Sequence, residues 1–185
     1  MHAQLQSIVS DFESVSARLQ RLTDSLSDTL WLARPTERGW SAAECVAHLN
    51  RTGEEFLPII RKALGEASPL TAGSTRRFRR DAFGWLLWRI MPPPVRLVRS
   101  RTTAQFMPAD DLDCGHLVAT FQQLQLEQVQ CVEAADGLAI DQVFIASPFN
   151  ERARYNLFSC LSILPRHQHR HLWQAERAIQ MAVTH

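Results

Sequence analysis

No stretch of this 185-residue sequence is apolar for the roughly 18 to 20 residues that a membrane-spanning helix needs. The opening segment, MHAQLQSIVSDFESV, also lacks the basic start and apolar core of a secretory signal peptide. No charge of one sign is in excess, because the net charge is only +1, and this balance indicates no particular partner. These absences argue against a membrane or secreted protein, and we expect a cytoplasmic one.

Cysteine pairs are absent as well. The four cysteines, Cys45, Cys114, Cys131 and Cys160, are scattered, and no two of them form a C-x-x-C motif. Their spacing therefore indicates neither a disulfide framework nor a structural zinc knuckle. We expect four reduced thiols in or near the core.

Strands with convincing alternation of apolar and polar residues are also absent, so the periodicity favours an all-α fold. The composition, 45% hydrophobic and 21% charged, is that of an ordinary globular protein. A chain of this length can bury a sizeable core as one unit, and we expect a single domain over residues 1–185.

Two helices are predicted in the first third of the chain. Apolar residues recur at alternating gaps of three and four from Leu5 to Leu26, which places them on one face of a helix. A second helix is expected within Gly39–Ile60. There Ser41 is a suitable N-cap, and Glu44, three residues later, completes a capping box.

Two more helices are predicted in the second half. One covers Cys114–Ala135 and has glutamines in its inward stripe, and the other shows helical periodicity over Leu157–Ala178. Pro165 interrupts the last segment, so this helix either begins shortly before His167 or is kinked there. Four amphipathic helices without strands indicate a four-helix bundle, a fold that builds metal sites from facing helices.

The last helix contains three of the seven histidines, in the segment RHQHRHLWQ. Since a helix turns about 100° per residue, His167 and His171 share a face and can converge on one ion. His169 points away from them, outward or toward a dimer partner. Imidazole suits zinc, nickel, copper and iron. The hydrolytic motif H-E-x-x-H is absent, because Gln168 occupies the position of its glutamate.

His48 is the candidate third ligand. It follows the apolar period of the second helix together with Cys45 and Thr52, so it points inward. Two interpretations are open: a core histidine that hydrogen-bonds a neighbour, or a metal ligand together with His167 and His171. Three histidine nitrogens with an open fourth position are typical of catalytic zinc, whereas Cys45 as a fourth ligand would close a structural site.

Two motifs carry a family resemblance that spans nearly the whole chain. The segments WSAAECVAHL at Trp40–Leu49 and HQHRHLWQ at His167–Gln174 resemble the two metal-binding segments of the DinB/YfiT-like superfamily. The resemblance implies an up-down-down-up four-helix bundle that is often dimeric. It also implies a divalent metal, typically nickel or zinc, held by His48, His167 and His171.

The resemblance further implies a function. Members of this family include transferases and isomerases that use low-molecular-weight thiols such as bacillithiol or mycothiol, and others are described as hydrolases. We therefore expect a metal-dependent transferase that combines a small-molecule substrate with such a thiol. The alternative is a non-enzymatic, stress-related binding module in which the metal only stabilises the bundle. Glu44 and Gln174 are weak candidates for orienting the metal-binding histidines, and capping explains Glu44 equally well.

A long crossover, at about 65–112, joins the second and third predicted helices. Between Arg76 and Arg101 it contains eight arginines, one aspartate, Trp85, Trp88 and a triple proline. Arginines interleaved with aromatic residues are compatible with nucleic acid or an anionic membrane surface. Glycine and proline punctuate the segment, however, so we expect no nucleic-acid partner and favour a crossover that packs on the bundle.

The sequence departs from the family pattern in two places that concern the substrate pocket. The crossover is unusually rich in arginine and tryptophan, and Trp173 occupies a position where the family usually has a small residue. Trp85 and Trp88 of the crossover, together with Cys45 and Thr52 of the second helix, are candidates for lining the pocket. The arginines of such a lining would suit an anionic group of a substrate.

Overall fold

The computed structural model describes residues 1–24, 26–36, 39–71, 73–92 and 113–184, and within these ranges helices dominate. The helices are α1 (Ala3–Thr23), α2 (Asp28–Leu32), α3 (Ala42–Glu66), α4 (Ala82–Ile90), α5 (Cys114–Ala134) and α6 (Leu157–Val183). The strands are β1 (Phe144–Ser147) and β2 (Asn150–Asn156). The predicted all-α class is confirmed, and the predicted first to fourth helices are α1, α3, α5 and α6.

Helices α1 and α6 run in the same direction in the bundle. The hydroxyl of Ser14 lies 3.0 Å from Nε2 of His169, and further along both helices Arg18 pairs with Glu176 at 2.6 Å. The chain's first and last helices are therefore parallel neighbours.

Helices α3 and α5 form the second parallel pair. The Asn50 side chain donates to the Leu117 carbonyl near the start of both helices, and Arg61 pairs with Glu127 further along both. Contacts between α1 and α5 instead advance in opposite directions along the two helices. The order is thus up, down, down, up. Because α3 and α5 are consecutive bundle helices that point the same way, a tight turn cannot join them. This explains why a long crossover, which includes α4, separates them.

Two clusters of buried apolar side chains fill the bundle. One includes Ile145 and Tyr155 of the hairpin, and the other includes Trp31 of α2. All four cysteines are free thiols, and three of them are buried, in agreement with the sequence-based expectation. Among the described helices, none is long and apolar enough to cross a bilayer.

A short antiparallel hairpin before α6 corrects the expectation that the chain has no strand. Phe144 pairs with Asn156 and Ile145 with Tyr155. Most residues of β2, whose sequence is NERARYN, are polar and exposed, so the strand lacks the alternation that marks strands in a sequence. The hairpin is held by Ile145 and Tyr155, which are buried against the bundle.

Two further differences from the sequence analysis concern helices. α6 is continuous through Pro165, so the proline is not the start of the last helix. The helix begins at Leu157, where the Asn156 side chain accepts a hydrogen bond of 2.8 Å from the Ser159 amide. α2 was not expected, because five residues are too few for helical periodicity to be recognised.

One carboxylate ties the crossover to the start of α6. Asp81 caps α4 by accepting from the Gly84 amide at 3.0 Å, and it also accepts from the Asn156 amide at 2.9 Å and the Ser159 hydroxyl at 2.8 Å. The first turns of α4 and α6 are therefore joined through Asp81. Residues 93–112 of the predicted crossover lie outside the described residues.

Arginines of the crossover pack on the bundle. Arg76 forms a two-pronged ion pair with Asp141. Trp88 contacts two guanidinium groups: the Cζ atoms of Arg80 and Arg166 are 4.2 and 3.7 Å from a Trp88 ring centroid. These contacts attach the described part of the crossover to α6 and to the start of the hairpin.

Replacing Gly84 with alanine is expected to loosen α4. A Cβ at Gly84 would overlap the Ser159 side chain and lie 2.6 Å from Oδ1 of Asp81. We expect a loss of about 1–3 kcal/mol in the free energy of unfolding, the usual cost of overpacking. Urea denaturation followed by circular dichroism measures it. Gly65→Ala in α3 is the matched control, because no atom lies within 4 Å of its added Cβ and helix propensity favours alanine by roughly 1 kcal/mol. Equal stability of the two variants would contradict close packing of α4 on α6.

The contribution of Asp81 to stability should depend on pH. Burial acts to raise its pKa, but the hydrogen bonds from Asn156, Gly84 and Ser159 outweigh burial and hold the pKa below the ordinary value of 3.8. The stabilisation is therefore complete above the unfolded pKa and is lost as pH falls through the lower folded pKa. At pH 7 we expect Asp81→Asn to be about 1–2 kcal/mol less stable than wild type in urea denaturation. As the pH falls below 3.8 the difference should shrink, and a constant difference would argue against a charged, hydrogen-bonded carboxylate.

Candidate metal centre

Three histidines meet where α3 packs against α6. His48 comes from α3, and His167 and His171 come from successive turns of α6. One ligand nitrogen of each ring lies within 4.8 Å of the other two, and this is the only such cluster of histidine, cysteine or acidic residues among the described residues. The ring centroid of His171 is 4.5 Å from the centroids of both His48 and His167. The three predicted ligands are thus brought together.

The surroundings of the cluster favour neutral rings. Aromatic neighbours cover it, with Trp40 over His48 and His171, and Phe149 over His48 and His167. Burial lowers the pKa of His167 to about 3, and the charges of His48 and Arg170 add to this effect. Burial likewise holds the pKa of His171 well below its ordinary value. At neutral pH these imidazoles are uncharged, which is the form that binds a metal.

The donor set fits a metal that prefers nitrogen. Nε2 of His167 and Nε2 of His171 are 3.1 Å apart, so one ring donates to the other. Nδ1 of each ring is buried and has no hydrogen-bond partner among the described residues. Since each imidazole offers one nitrogen to an ion and the two Nε2 atoms lie close together, Nε2 is the atom of His167 and of His171 that would bind a metal.

Glu44 and Gln174, the predicted orienting residues, lie in different surroundings. Glu44 accepts from the Ser41 amide at 2.7 Å and forms an ion pair with Arg34, so its carboxylate is engaged in the predicted capping box. Burial acts to raise its pKa, but Arg34 and Ser41 outweigh burial and lower the pKa of Glu44. Gln174 lies in the cleft beside His171, where its side chain favours the protonated form of that ring. Gln174 is therefore the better candidate for orienting a ligand.

Cys45 and Thr52 line the cleft beside the histidines, as the sequence analysis anticipated. Cys45 is not part of the ligand cluster, and burial raises the pKa of its thiol to about 12, so it stays protonated. The Thr52 hydroxyl donates to the carbonyl of His48 at 2.8 Å. Among the described residues, no fourth histidine, cysteine, aspartate or glutamate joins the cluster.

The cluster forms the inner part of a cleft of about 1090 Å³. Residues of α3, α4, the hairpin and α6 line it. The structure does not place Trp85 or Trp88 in this lining: Trp85 is 54% exposed, and Trp88 contacts its two arginines. Other residues of the crossover line the cleft instead, namely Phe83, Leu87, Ile90 and Met91.

Sequence reasoning missed these four residues because α4 is apolar on most of its surface. In AFGWLLWRI nearly every position is apolar, so periodicity does not show which face turns toward the bundle. The small residue Gly84 was the only local signal, because a helix that approaches another element closely often does so through glycine.

Three glutamines lie buried behind the metal centre. Nε2 of Gln168 donates to Oε1 of Gln125 at 3.0 Å and to Oε1 of Gln128 at 3.2 Å. Gln125 donates in turn to the carbonyl of Phe12 in α1. These are the glutamines that the sequence places in the inward stripe of the third helix, and their partner Gln168 directly follows His167.

His169 lies on a different side of α6 from His167 and His171, as predicted, but it contacts α1 and does not point outward from the bundle. Its ring is within hydrogen-bond distance of Ser14 and of Arg18 in α1. Arg18 also pairs with Glu176 through two hydrogen bonds. The structure therefore gives His169 a place in the α1–α6 contact, away from the other two histidines.

A family model described as DinB superfamily matches residues 11–175. The matched region makes up most of the chain. It includes both histidine segments and extends from α1 to most of α6. No curated protein matches the chain.

Removing one clustered histidine should abolish metal binding. We expect His48→Ala to lower the affinity for Zn²⁺ or Ni²⁺ more than about a hundredfold, which exceeds the loss typical of residues that only support a ligand. His169→Ala is the matched control and should keep its metal, because this ring faces α1. Metal content by inductively coupled plasma mass spectrometry and affinity by competition with a chelator measure both. Equal retention in the two variants would contradict the ligand assignment.

Proposed function

This chain belongs to the DinB superfamily, and from that premise we propose that it is a metal-dependent transferase. His48, His167 and His171 would hold one divalent ion, nickel or zinc. The substrates would be a low-molecular-weight thiol and a second small molecule. A hydrolase at the same centre is the nearest related activity, and the absence of the H-E-x-x-H glutamate weighs against it.

The observation that carries this proposal is an incomplete donor set beside a large cleft. Three histidines converge, the described residues supply no fourth ligand, and the cleft beside them has about 1090 Å³ of space. Ligand sites of small molecules commonly occupy 300–1,000 Å³, so there is room for a thiol and a second reactant. A divalent metal bound there would supply a Lewis acid that favours the thiolate form of a thiol.

The protein's own residues would prepare the site for such chemistry. Trp40 and Phe149 lie beside the histidines, with the Trp40 and His48 ring centroids 5.1 Å apart and the Phe149 and His167 centroids 6.0 Å apart. Gln174 would orient His171, and the hydrogen bond from Thr52 to the carbonyl of His48 holds one turn of α3 in place. The Glu44 carboxylate accepts a hydrogen bond from the Ser41 amide and pairs with Arg34. We therefore assign it a role at the start of α3 and none in proton transfer.

The alternative, a metal that only stabilises the bundle, needs a closed site. Structural zinc is almost always held by four protein ligands, and Cys45 is the residue that could supply the fourth. Its place outside the cluster favours the open site. We therefore place the enzymatic function first.

Ligand exchange at a cobalt-substituted protein separates the two functions. In an open site, azide or a low-molecular-weight thiol such as cysteine should change the visible absorption spectrum of Co²⁺, because the exogenous group can enter the fourth position. Cys45→Ser should show the same spectrum as wild type before the additions and the same response after them. An unresponsive wild-type spectrum, together with an altered Cys45→Ser spectrum, would establish a closed structural site and overturn the transferase proposal.

A further inference from the structure

Helix α4 packs on the bundle through one side. A Cβ at Gly84 would overlap the Ser159 side chain, and the Trp88 ring contacts the guanidinium of Arg166. Leu87 packs against one of the two core clusters. Gly84, Leu87 and Trp88 share one side of the helix, because residues three and four apart lie on the same face. This side of α4 is therefore the one that the bundle covers.

The opposite side of α4, which we call its outer face, is also mostly apolar. Because successive residues of a helix are about 100° apart, its members fall within an arc of about 160°: Phe83, Trp85, Leu86, Arg89 and Ile90. The four apolar members are each between 38% and 54% exposed. Single exposed apolar residues are ordinary on a protein surface, whereas several on one helix face form a patch that suits a binding surface.

The charges around the outer face are positive. Arg89 belongs to the face itself, and Arg77 and Arg79 lie shortly before Asp81, the N-cap of α4. All three arginines are exposed, and none of them forms an ion pair with a described residue. Asp81 is the one acidic residue in the segment 76–92, and its carboxylate is engaged by hydrogen bonds at the start of α6. The segment thus carries unneutralised positive charge next to an exposed apolar surface.

This combination fits the surface of an anionic lipid bilayer. A helix that lies in the interface of a bilayer places its tryptophan and aliphatic side chains at the boundary of the acyl chains, and its arginines beside the anionic headgroups. With nine residues, α4 is too short to span the bilayer and can only lie on it.

Two other partners fit the outer face less well. Single-stranded nucleic acid is bound by stacking of bases on aromatic rings, and the aliphatic Leu86 and Ile90 offer no such stacking. A second copy of the chain in a symmetric dimer would place the same cationic helix against itself, which brings like charges together.

We propose that the outer face of α4 docks this protein on anionic lipid bilayers, with Trp85 and Leu86 entering the interface and Arg89 contacting lipid headgroups. This interaction is separate from the proposed metal-dependent reaction and does not depend on it. Phe83 and Ile90 belong both to the outer face and to the lining of the cleft, so a docked protein holds its cleft beside the bilayer.

Co-sedimentation of the full-length protein with lipid vesicles tests the docking. We expect at least about tenfold tighter binding to vesicles of phosphatidylcholine with phosphatidylglycerol than to vesicles of phosphatidylcholine alone, because each basic residue near an anionic surface adds to the attraction. Binding should weaken as salt is added, since salt screens the charges.

The double variant Trp85→Ser/Leu86→Ser tests the apolar part of the face. We expect it to bind the anionic vesicles about tenfold or more weakly, because the exposed apolar area that would leave water is lost. Leu126→Ser is the matched control. It removes an apolar residue of α5 that is 60% exposed and should leave vesicle binding unchanged. Circular dichroism confirms that both variants keep the wild-type fold.

A charge variant tests the cationic part. Arg89→Gln should weaken binding to the anionic vesicles about fivefold, the usual contribution of one basic residue at such a surface. Arg51→Gln changes the net charge equally, but it removes an arginine of α3 that pairs with Glu55, and it should change binding less than about twofold.

Fluorescence quenching locates the contact without relying on a loss of binding. Trp85→Phe keeps an apolar ring and should bind with nearly wild-type affinity. Lipids with brominated acyl chains quench tryptophans that reach the chains, so much of the quenching seen in wild type should disappear in Trp85→Phe. Trp31→Phe, which replaces a tryptophan of the core, should be quenched like wild type.

Several results overturn the proposal: no binding of wild type to the anionic vesicles, equal binding to both kinds of vesicle, equal affinity of wild type and the double variant, or quenching that persists in Trp85→Phe. Without vesicle binding, a dimer that the double variant dissociates in analytical ultracentrifugation would assign the outer face to a second copy. Binding of a single-stranded oligonucleotide in place of vesicles would assign it to nucleic acid. His48→Ala, which tests the metal centre, should bind vesicles like wild type, so the two proposals fail independently.

Discussion

The packing of α3 against α6 is the contact on which the rest of the structure depends. It brings His48 against His167 and His171, in an interior where all three rings are at least half-buried. Imidazoles in an apolar interior are costly unless their nitrogens find partners. Nε2 of His167 and Nε2 of His171 share one hydrogen bond, whereas Nδ1 of each of these two rings has no hydrogen-bond partner among the described residues.

Asp81 gives this site its second wall. Its carboxylate joins the first turns of α4 and α6, and Asn156, one of its partners, is both the end of β2 and the cap of α6. Helix, hairpin and bundle therefore meet at one group. The junction holds α4 where its apolar side chains line the cleft.

Much of the fold could be predicted from the sequence, because helical periodicity and capping are local. The four long helices, the capping box of Ser41 and Glu44, and the inward direction of His48 all follow from spacing within a single segment. Contacts between distant segments could not be predicted in this way. The hairpin depends on the burial of Ile145 and Tyr155, whose strands show no alternation of apolar and polar residues. The lining of the cleft depends on the rotation of α4 about its own axis. Arg170, which lines the cleft, was overlooked for a related reason: nothing within RHQHRH distinguishes an arginine that faces a cleft from one that faces water.

The buried glutamines have a consequence for how accurately the clustered histidines are placed along the bundle. Sliding one helix along another at an apolar contact costs packing but leaves no polar group unpaired. Amide hydrogen bonds are directional, so each donor must meet an acceptor. Gln168 donates to both Gln125 and Gln128, so moving α6 by one turn, about 5.4 Å, would break both hydrogen bonds and bury their groups unpaired. Since His167 directly precedes Gln168, these hydrogen bonds fix the axial position of the α6 histidines relative to α5.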